Sequence, residues 1–323
     1  MTDVFIAWVG FQRRAEVMKN YWGYDLIHLK NKYKDKKFRV IDYFQKTIAS
    51  ANFINKNKPK NIWIQLPPSV FLYYLWIFKG DRKIVADFHN SMLRDQWFKM
   101  PFVKHILESV VDVVVAHNDD VKDELVSKGL SGKNIIVLED KSFKVSRSFS
   151  GIEKIYGDYM LFPCSFDIDE PIDVVIRCAE VRSDINFVVT GKHAGKIAQS
   201  VIENAPKNVF FTGYVSNEDY NELLCGAFGV LGLTTRENVQ LSVANEAVSA
   251  GIPMVLSGTA TLKKLFGKGA VFVETTNHIS MANGILALIE CRQKYEAECA
   301  DLLNERNERW SKQAKNLKSR LEN

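Results

Sequence analysis

The sequence predicts an α/β protein made of two consecutive doubly wound halves, and three observations lead there. Strand-length apolar runs alternate with helix-period segments along most of the chain. The rhythm breaks near Lys141 to Gly157 (KSFKVSRSFSGIEKIYG), a polar stretch without clear period that reads as an interdomain linker. From Thr234 to Val255 (TTRENVQLSVANEAVSAGIPMV) the chain leaves one buried strand, turns through polar residues, forms a helix and enters another strand. A chain of 323 residues is long enough for two cores. The expected domains are residues 1–150 and 151–300, followed by a charged helical tail over 301–323.

Composition sets the outer limits. Hydrophobic residues make up 46% and charged residues 25%, the balance of an ordinary water-soluble globular protein. Cys164, Cys178, Cys225, Cys291 and Cys299 are scattered, odd in number and without a CxxC pair. They read as reduced thiols in a cytoplasmic protein, neither a disulfide frame nor a metal site. The opening MTDVFIAWVG runs straight into a strand, so no signal peptide is expected, and no apolar run approaches bilayer length.

In the first half, strands are expected at Val4 to Val9, Leu26 to Leu29, Phe38 to Ile41, Asn61 to Gln65, Lys83 to Ala86, Val111 to Ala116 and Asn134 to Leu138. Helices fall between them, among them Ile48 to Asn57, Val121 to Lys128 and the ten-residue apolar run Ser69 to Phe78 after Pro67-Pro68, a buried or interface-touching segment. His117, Asn118, Asp119 and Asp120 follow a strand and suit the cap of the helix from Val121. In the second half the strands are Tyr159 to Pro163, Asn186 to Thr190, Val209 to Thr212, Phe228 to Leu233, Ile252 to Leu256 and Ala270 to Val273. Its helices are Ile172 to Val181, Ile197 to Glu203, Asn217 to Gly226 and a long one from about Ile279. The tail carries Trp310 as one of its few large apolar anchors and is expected to pack back on the first domain.

Charge is unevenly placed. Residues 1–60 hold thirteen Lys or Arg against five Asp or Glu, including Lys34, Lys36 and Lys37, although the whole chain is only +5. Tyr21, Trp22, Tyr24, Tyr33, Phe38, Tyr43 and Phe44 are interleaved with them. Basic residues with interfacial aromatics suit an anionic membrane surface; the alternative is a solvated face with some of the aromatics in the core. No nucleic-acid-binding motif accompanies the charge.

The Thr234 to Val255 stretch carries the clearest chemistry. A helix that starts at the C-terminal edge of a parallel sheet points free N–H groups at a ligand, a geometry that suits phosphate. Arg236 can offer a charged fork, Thr234 and Thr235 hydroxyls, and Ser242 lies in the first turn. Glu246, one turn on, could accept hydrogen bonds from a pair of ribose hydroxyls; the competing reading makes these residues solvated charges.

The order TGK (Thr190 to Lys192), FFTGYVSNEDYNELL (Phe210 to Leu224) and TTREN…NEAVSAGIPMV resembles the nucleotide-sugar half of GT-B glycosyltransferases related to family 4, over about residues 158–275. The resemblance implies a GT-B fold, two Rossmann-like domains facing a central crevice. It also implies that Gly191 and Lys192 of the TGK segment line the nucleotide-sugar site and that Gly213, Tyr214 and Val215 lie beside the nucleotide base. Glu246 would bind the ribose, the N–H groups near Gln240 and Leu241 the diphosphate, and Glu237 the sugar hydroxyls. Two departures stand out. Glu237 and Glu246 have eight residues between them where seven is usual, and Ser165 and Glu170 occupy the places where the family carries an Arg and a Lys against the diphosphate. Arg236 and Lys192 are the available substitutes.

Three further segments, QLPPS (Gln65 to Ser69), ADFHNS (Ala86 to Ser91) and CSFDIDEP (Cys164 to Pro171), are similar in the same order to the β-1,4-mannosyltransferases of dolichol-linked chitobiose. Bacterial transferases of polysaccharide assembly, such as capsule or O-antigen, can share them. The implied reaction moves a sugar from a UDP- or GDP-sugar to a lipid-linked or growing glycan acceptor, at the cytoplasmic face of a membrane. Asp87, after its strand, is the candidate base and His89 a contact to sugar or diphosphate, with the two roles exchangeable; the alternative is a helix cap and a structural histidine. No metal or other cofactor is expected, because Asp167 and Asp169 lead into a helix and suit capping better than cation binding. An inactive sugar-nucleotide-binding partner subunit, or an epimerase or phosphorylase on the same scaffold, is the competing class.

Overall fold

A computed structural model describes residues 2–33, 35–145 and 151–322, and for Lys36 and Asn90 the backbone alone. Lys34 and residues 146–150 of the expected linker lie outside the described residues. The chain forms two units, residues 1–141 with 308–323, and residues 142–307.

The first unit is built on β1 (Val4–Ala7), β2 (Asp25–His28), β3 (Asn61–Leu66), β4 (Lys83–Phe88), β5 (Val113–Ala116) and β6 (Ile135–Val137). All are parallel, in the order β2-β1-β3-β4-β5-β6. Their near-continuous apolar runs follow from burial on both faces, since alternate side chains enter different cores. Val4, Ile6, Ile62, Ile64, Ile84 and Ala86 join one cluster, and Phe5, Ala7, Trp63 and Val85 the other. The chain steps from β1 outward to β2 and then back across to β3, so the sheet has its topological switch at the β1/β3 pair.

The second unit repeats the plan with β7 (Tyr159–Pro163), β8 (Asn186–Thr190), β9 (Val209–Gly213), β10 (Gly229–Gly232), β11 (Met254–Ser257) and β12 (Ala270–Val273). The order is β12-β11-β10-β7-β8-β9, again parallel, with the reversal at β7 and β10. The helices Ile172–Val181 and Asn217–Gly226 fall where the periodicity places them.

One expected strand is absent. Phe38 to Ile41 opens the helix Arg39–Asn57, with Phe38 at its cap position. The four-residue apolar run looked like a strand, yet Val40 and Ile41 are exposed while Asp42, Lys46, Ser50 and Ile54 are buried at a spacing of four. A helical period carried by polar residues overrode the short β-branched run.

The tail expected over 301–323 divides at Asn307. The helix Arg292–Glu322 gives its residues from Glu308 onward to the first unit. There Trp310, Ala314, Leu317 and Leu321, one helical face, enter the cluster that holds Phe5 and Trp63. Trp310 meets Tyr21 edge-on at 4.8 Å, and Lys141 Nζ lies 5.0 Å from its ring centre. Arg309 clasps Glu139 through Nε at 2.6 Å and Nη2 at 3.0 Å. Trp310→Ala should therefore destabilise the first unit by about 3–5 kcal/mol, read as an earlier chemical-denaturation midpoint, because its ring is almost wholly buried. An unchanged midpoint would mean that the docked tail contributes no stability.

Candidate functional site

In the second unit, β7 and β10 send the chain in opposite directions across the sheet, so the loops leaving their C-terminal ends flank an opening. The two loops are tied through Asp169. Its carbonyl accepts from Thr235 N–H at 2.9 Å, its Oδ2 accepts from Thr234 Oγ1 at 2.8 Å, and its Oδ1 lies 3.1 Å from Arg236 Nη2. Capping by Asp167 or Asp169, expected from the sequence, does not occur. Pro171 stands at the start of Ile172–Val181 without a side-chain cap, and Asp169 turns to the cation and hydroxyl opposite instead. Phe166 in one loop (φ 57°) and Asn238 in the other (φ 60°) hold left-handed backbone, strain that persists where the surroundings fix it.

The helix Ser242–Ala250 begins just beyond the β10 loop, and Leu241 at its cap position makes no side-chain hydrogen bond to it. Its leading N–H groups therefore carry the positive end of the helix without an intrahelical acceptor. Glu246 is buried, and its Oε2 accepts a 2.5 Å hydrogen bond from Tyr220 Oη. Gln240 Nε2 donates to Asn245 Oδ1 at 3.1 Å. Glu237 turns one carboxylate oxygen to the N–H of Ala260, at 3.1 Å, where the helix Ala260–Leu265 starts.

After β8, Gly191 has φ +128°, and a Cβ there would lie 1.9 Å from the Cys164 carbonyl, so only glycine allows the two loops to approach. Gly191 N–H also donates to Gly213 O at 2.9 Å, joining the ends of β8 and β9. Beside Gly213 (φ +72°), Tyr214 is 80% exposed. Ser165 gives both its N–H (2.6 Å) and its hydroxyl (2.8 Å) to Glu170 Oε2. Lys192 is exposed, while Lys196, which the sequence reading missed, reaches across to donate to the Ser165 carbonyl and lies 4.0 Å from Asp167. A cavity of about 470 Å³ opens here, within the range of small-molecule sites, and Phe166, Glu170, Arg177, Ile197, Thr235 and Thr276 are among its walls.

The first unit gathers a second cluster at the C-terminal ends of its strands. Asp87, the penultimate residue of β4, has no exposed surface. Its Oδ1 accepts from Arg14 Nε at 3.1 Å and faces His117 Nε2 at 3.4 Å; its Oδ2 faces His89 Nε2 at 3.4 Å. Arg14 spends its other nitrogens on Asp140 Oδ1 (2.6 Å) and the Leu138 carbonyl (2.7 Å). Burial alone would raise the Asp87 carboxyl, but the Arg14 charge, with His117 and His89, outweighs it and holds the group well below the usual carboxylate range. Burial, aided by the Arg14 charge, lowers the His117 imidazole from its ordinary 6.5.

Asp87 is thus a poor base: enclosed, strongly acidic and already committed to Arg14. Of Asp87 and His89, only His89 keeps side-chain surface open, about a quarter of it. Gln12 Nε2 stands 2.6 Å from His89 Nε2, while Gln12 Oε1 is buried without a hydrogen-bond partner among the described residues. The carboxylate oxygen beside His89 Nε2 favours the proton on that nitrogen and the lone pair on Nδ1, and the Gln12 amide turned to present Oε1 would accept from the same Nε2–H. Arg14 belongs to this cluster and was not singled out from the sequence, and His117, read there as part of a cap, joins it instead; Asn118, as expected, caps the next helix through Val121 N–H at 2.8 Å.

Asp87, His89 and His117 bring three donor atoms within 4.8 Å of one another, a spacing a transition metal could bridge. The Arg14 guanidinium on the same carboxylate makes a cation there electrostatically unfavourable, and the set suits proton handling better.

Residues 167–291 match the family model of glycosyl transferases group 1, a span that includes most of the β7 loop, the β10 loop and the helix Ser242–Ala250. No curated protein matches the chain. Among solved structures, HepE of Anabaena, in complex with UDP-glucose, is similar with a TM-score of 0.73 at 14% identity, covering 99% of this chain and 100% of that one. Sucrose-phosphate synthase of Thermosynechococcus elongatus gives 0.71 at 14%, covering 99% and 98%. A putative UDP-N-acetylglucosamine 2-epimerase of Listeria monocytogenes gives 0.61 at 11%, covering 93% and 91%. The fold is GT-B, as the family resemblance implied. Among the described residues no helix is long and apolar enough to cross a membrane.

Because the folded chain resists protonating His117, the unfolded chain binds the extra proton as pH falls below about 6.5, and stability is lost from that point downward. The loss due to Asp87 begins only nearer its ordinary 3.8. The melting temperature should accordingly decline between pH 7 and 5.5 in the parent and less in His117→Asn; parallel declines would show that His117 is not held neutral.

Proposed function

We propose that the chain is a glycosyltransferase that moves a sugar from a UDP- or GDP-sugar to a hydroxyl of a lipid-linked or growing glycan acceptor, in polysaccharide or glycoconjugate assembly. The observation that carries this reading is the uncapped start of Ser242–Ala250 with Arg236 ahead of it and the buried Glu246 one turn on. The family match over residues 167–291 and the UDP-glucose bound by HepE support it.

In this reading the second unit holds the donor. Glu246, oriented by Tyr220, accepts from the ribose hydroxyls, and Tyr214 beside Gly213 lies against the base. The N–H groups of Gln240, Leu241 and Ser242 take the diphosphate, with Thr235, Arg236, Lys192 and Lys196 supplying hydroxyl and charge. Glu237 keeps a second carboxylate oxygen for the sugar hydroxyls, and Ser165 with Gly191 shapes the loop beneath.

The first unit supplies the base. His89 Nδ1 accepts the proton of the acceptor hydroxyl as its oxygen bonds to the anomeric carbon, the bond from that carbon to the diphosphate breaks, and the nucleoside diphosphate departs with the electron pair. Asp87 faces the Nε2 side of the imidazole and steadies the imidazolium that forms. The charge gathering on the leaving diphosphate meets a helix end and basic side chains, so the proposal includes no metal or other cofactor. Attachment to the cytoplasmic, anionic face of a membrane, where such acceptors reside, belongs to the same proposal.

One observation favours a second reading. Glu170 occupies the Ser165 N–H and hydroxyl, donors that could otherwise meet an anion, as a loop that binds nucleotide without turnover would allow. Thermal shift against UDP-, GDP- and ADP-sugars, followed by transfer to a crude lipid acceptor, separates the two. The transferase reading expects Glu246→Gln and Arg236→Ala to weaken nucleotide binding at least about tenfold, some 1.4 kcal/mol. It expects His89→Ala and Asp87→Asn to keep binding and lose about 10²-fold or more in transfer. Nucleotide binding without transfer by the parent would leave the partner-subunit reading in its place.

A further inference from the structure

The helix Arg39–Asn57 is amphipathic in reverse. Its polar residues face inward and satisfy one another: Lys46 Nζ lies 3.0 Å from Asp42 Oδ2 and donates to Asn31 Oδ1 at 2.5 Å, Trp8 Nε1 donates to Ser50 Oγ at 3.1 Å, and Asp42 Oδ1 accepts from Lys32 N–H at 3.0 Å. Its apolar residues face water. Val40 is 77% exposed, Ile41 47%, Phe44 66% and Ile48 44%, and their offsets of one, four and eight place them along one stripe. Folding of the unit does not require this stripe to be covered, because the inner face is already packed and hydrogen-bonded. Four large apolar side chains left in water on one helix ask for an apolar partner.

The charges around the stripe say which partner. Lys37 and Arg39 are exposed at its leading end, and Lys56, Lys58 and Lys60 at its trailing end. Between residues 30 and 60 the acids are Asp35, paired with Lys37 at 3.0 Å, and the buried Asp42. A second copy of the chain would bring cations against cations. A plane of anionic headgroups over an acyl layer meets both features, with the stripe sunk among the chains and the lysines extended to phosphate. We infer that Arg39–Asn57 is the membrane-docking element of this protein and lies flat in the surface of an anionic bilayer. The inference rests on the membrane attachment proposed above and names the element that makes it, while its test needs neither donor nor acceptor.

Flotation of the full chain with vesicles, in buffer free of sugar nucleotide, tests it. The parent should float with phosphatidylcholine vesicles that contain phosphatidylglycerol, and far less with phosphatidylcholine alone or at high salt. Phe44→Ser with Ile48→Ser should weaken that binding at least tenfold, and Lys56→Glu with Lys58→Glu should weaken it as well. An unchanged melting temperature and unchanged thermal shift by UDP would show that both variants are folded. Equal flotation of parent and variants overturns the inference, and so does a parent that stays with neither vesicle. A concentration-dependent dimer abolished by Phe44→Ser, without vesicle binding, would assign the stripe to a second copy and overturn it too.

Discussion

The first unit depends on one buried guanidinium. Arg14 leaves the first turn of the helix Arg13–Trp22 and binds, in three directions, a carboxylate in β4, a carbonyl just past β6 and a carboxylate two residues further on. Burying such a charge is expensive unless every donor is matched, and here each arm of the fork has its acceptor. Lysine could not replace it, since one ammonium has no planar fork with which to reach three sites. By clamping Asp87, Arg14 also fixes what the two histidines face. The same contact that ties β4 to the chain beyond β6 therefore sets the electrostatics of the cluster, and it leaves an imidazole, not the carboxylate, as the base of the proposed transfer.

The second unit reaches a similar end through the backbone. Gly191 lets the β8 loop pass against the Cys164 carbonyl, Phe166 and Asn238 bear left-handed conformations, and the helix start at Ser242 offers N–H groups in place of a charged fork. Its side-chain charges largely cancel: Asp169 pairs with Arg236, and Glu170 takes the Ser165 donors. The diphosphate of the proposed donor would compete with those carboxylates for Arg236 and for the Ser165 donors. Asp169 meanwhile ties the two loops together through Thr234, Thr235 and Arg236.

Much of this was legible in the sequence, for reasons that differ between elements. Strands buried on both faces announce themselves as uninterrupted apolar runs, so the two doubly wound halves and the strand ends near Asp87, Gly191 and Thr234 could be read directly. Glycine at position 251 and the alanine face of Ser242–Ala250 marked that helix just as clearly. Clusters that join residues distant in the chain were not legible. Arg14 stood in a basic segment that looked like surface charge, His117 looked like part of a cap, and Lys196 had no motif around it; each acquires its place only through strand order. Helix Arg39–Asn57 misled for another reason. Hydrophobic periodicity predicts burial only when the core is apolar, and this core face is lined by Asp42, Lys46 and Ser50.

The two units also differ in what can perturb them. A cluster made of buried charges carries its geometry in protonation states, so it answers to pH and to the loss of any one partner, and its effects are not additive. A binding edge made of backbone N–H groups has no protonation state to lose at ordinary pH and is altered only by changes in φ/ψ or by a side chain where none fits. Donor binding assigned to the second unit and proton transfer assigned to the first should therefore respond to separate variables: backbone-compatible substitution on one side, charge and pH on the other. A shared response would mean that side-chain charge, and not the backbone edge, dominates the donor site.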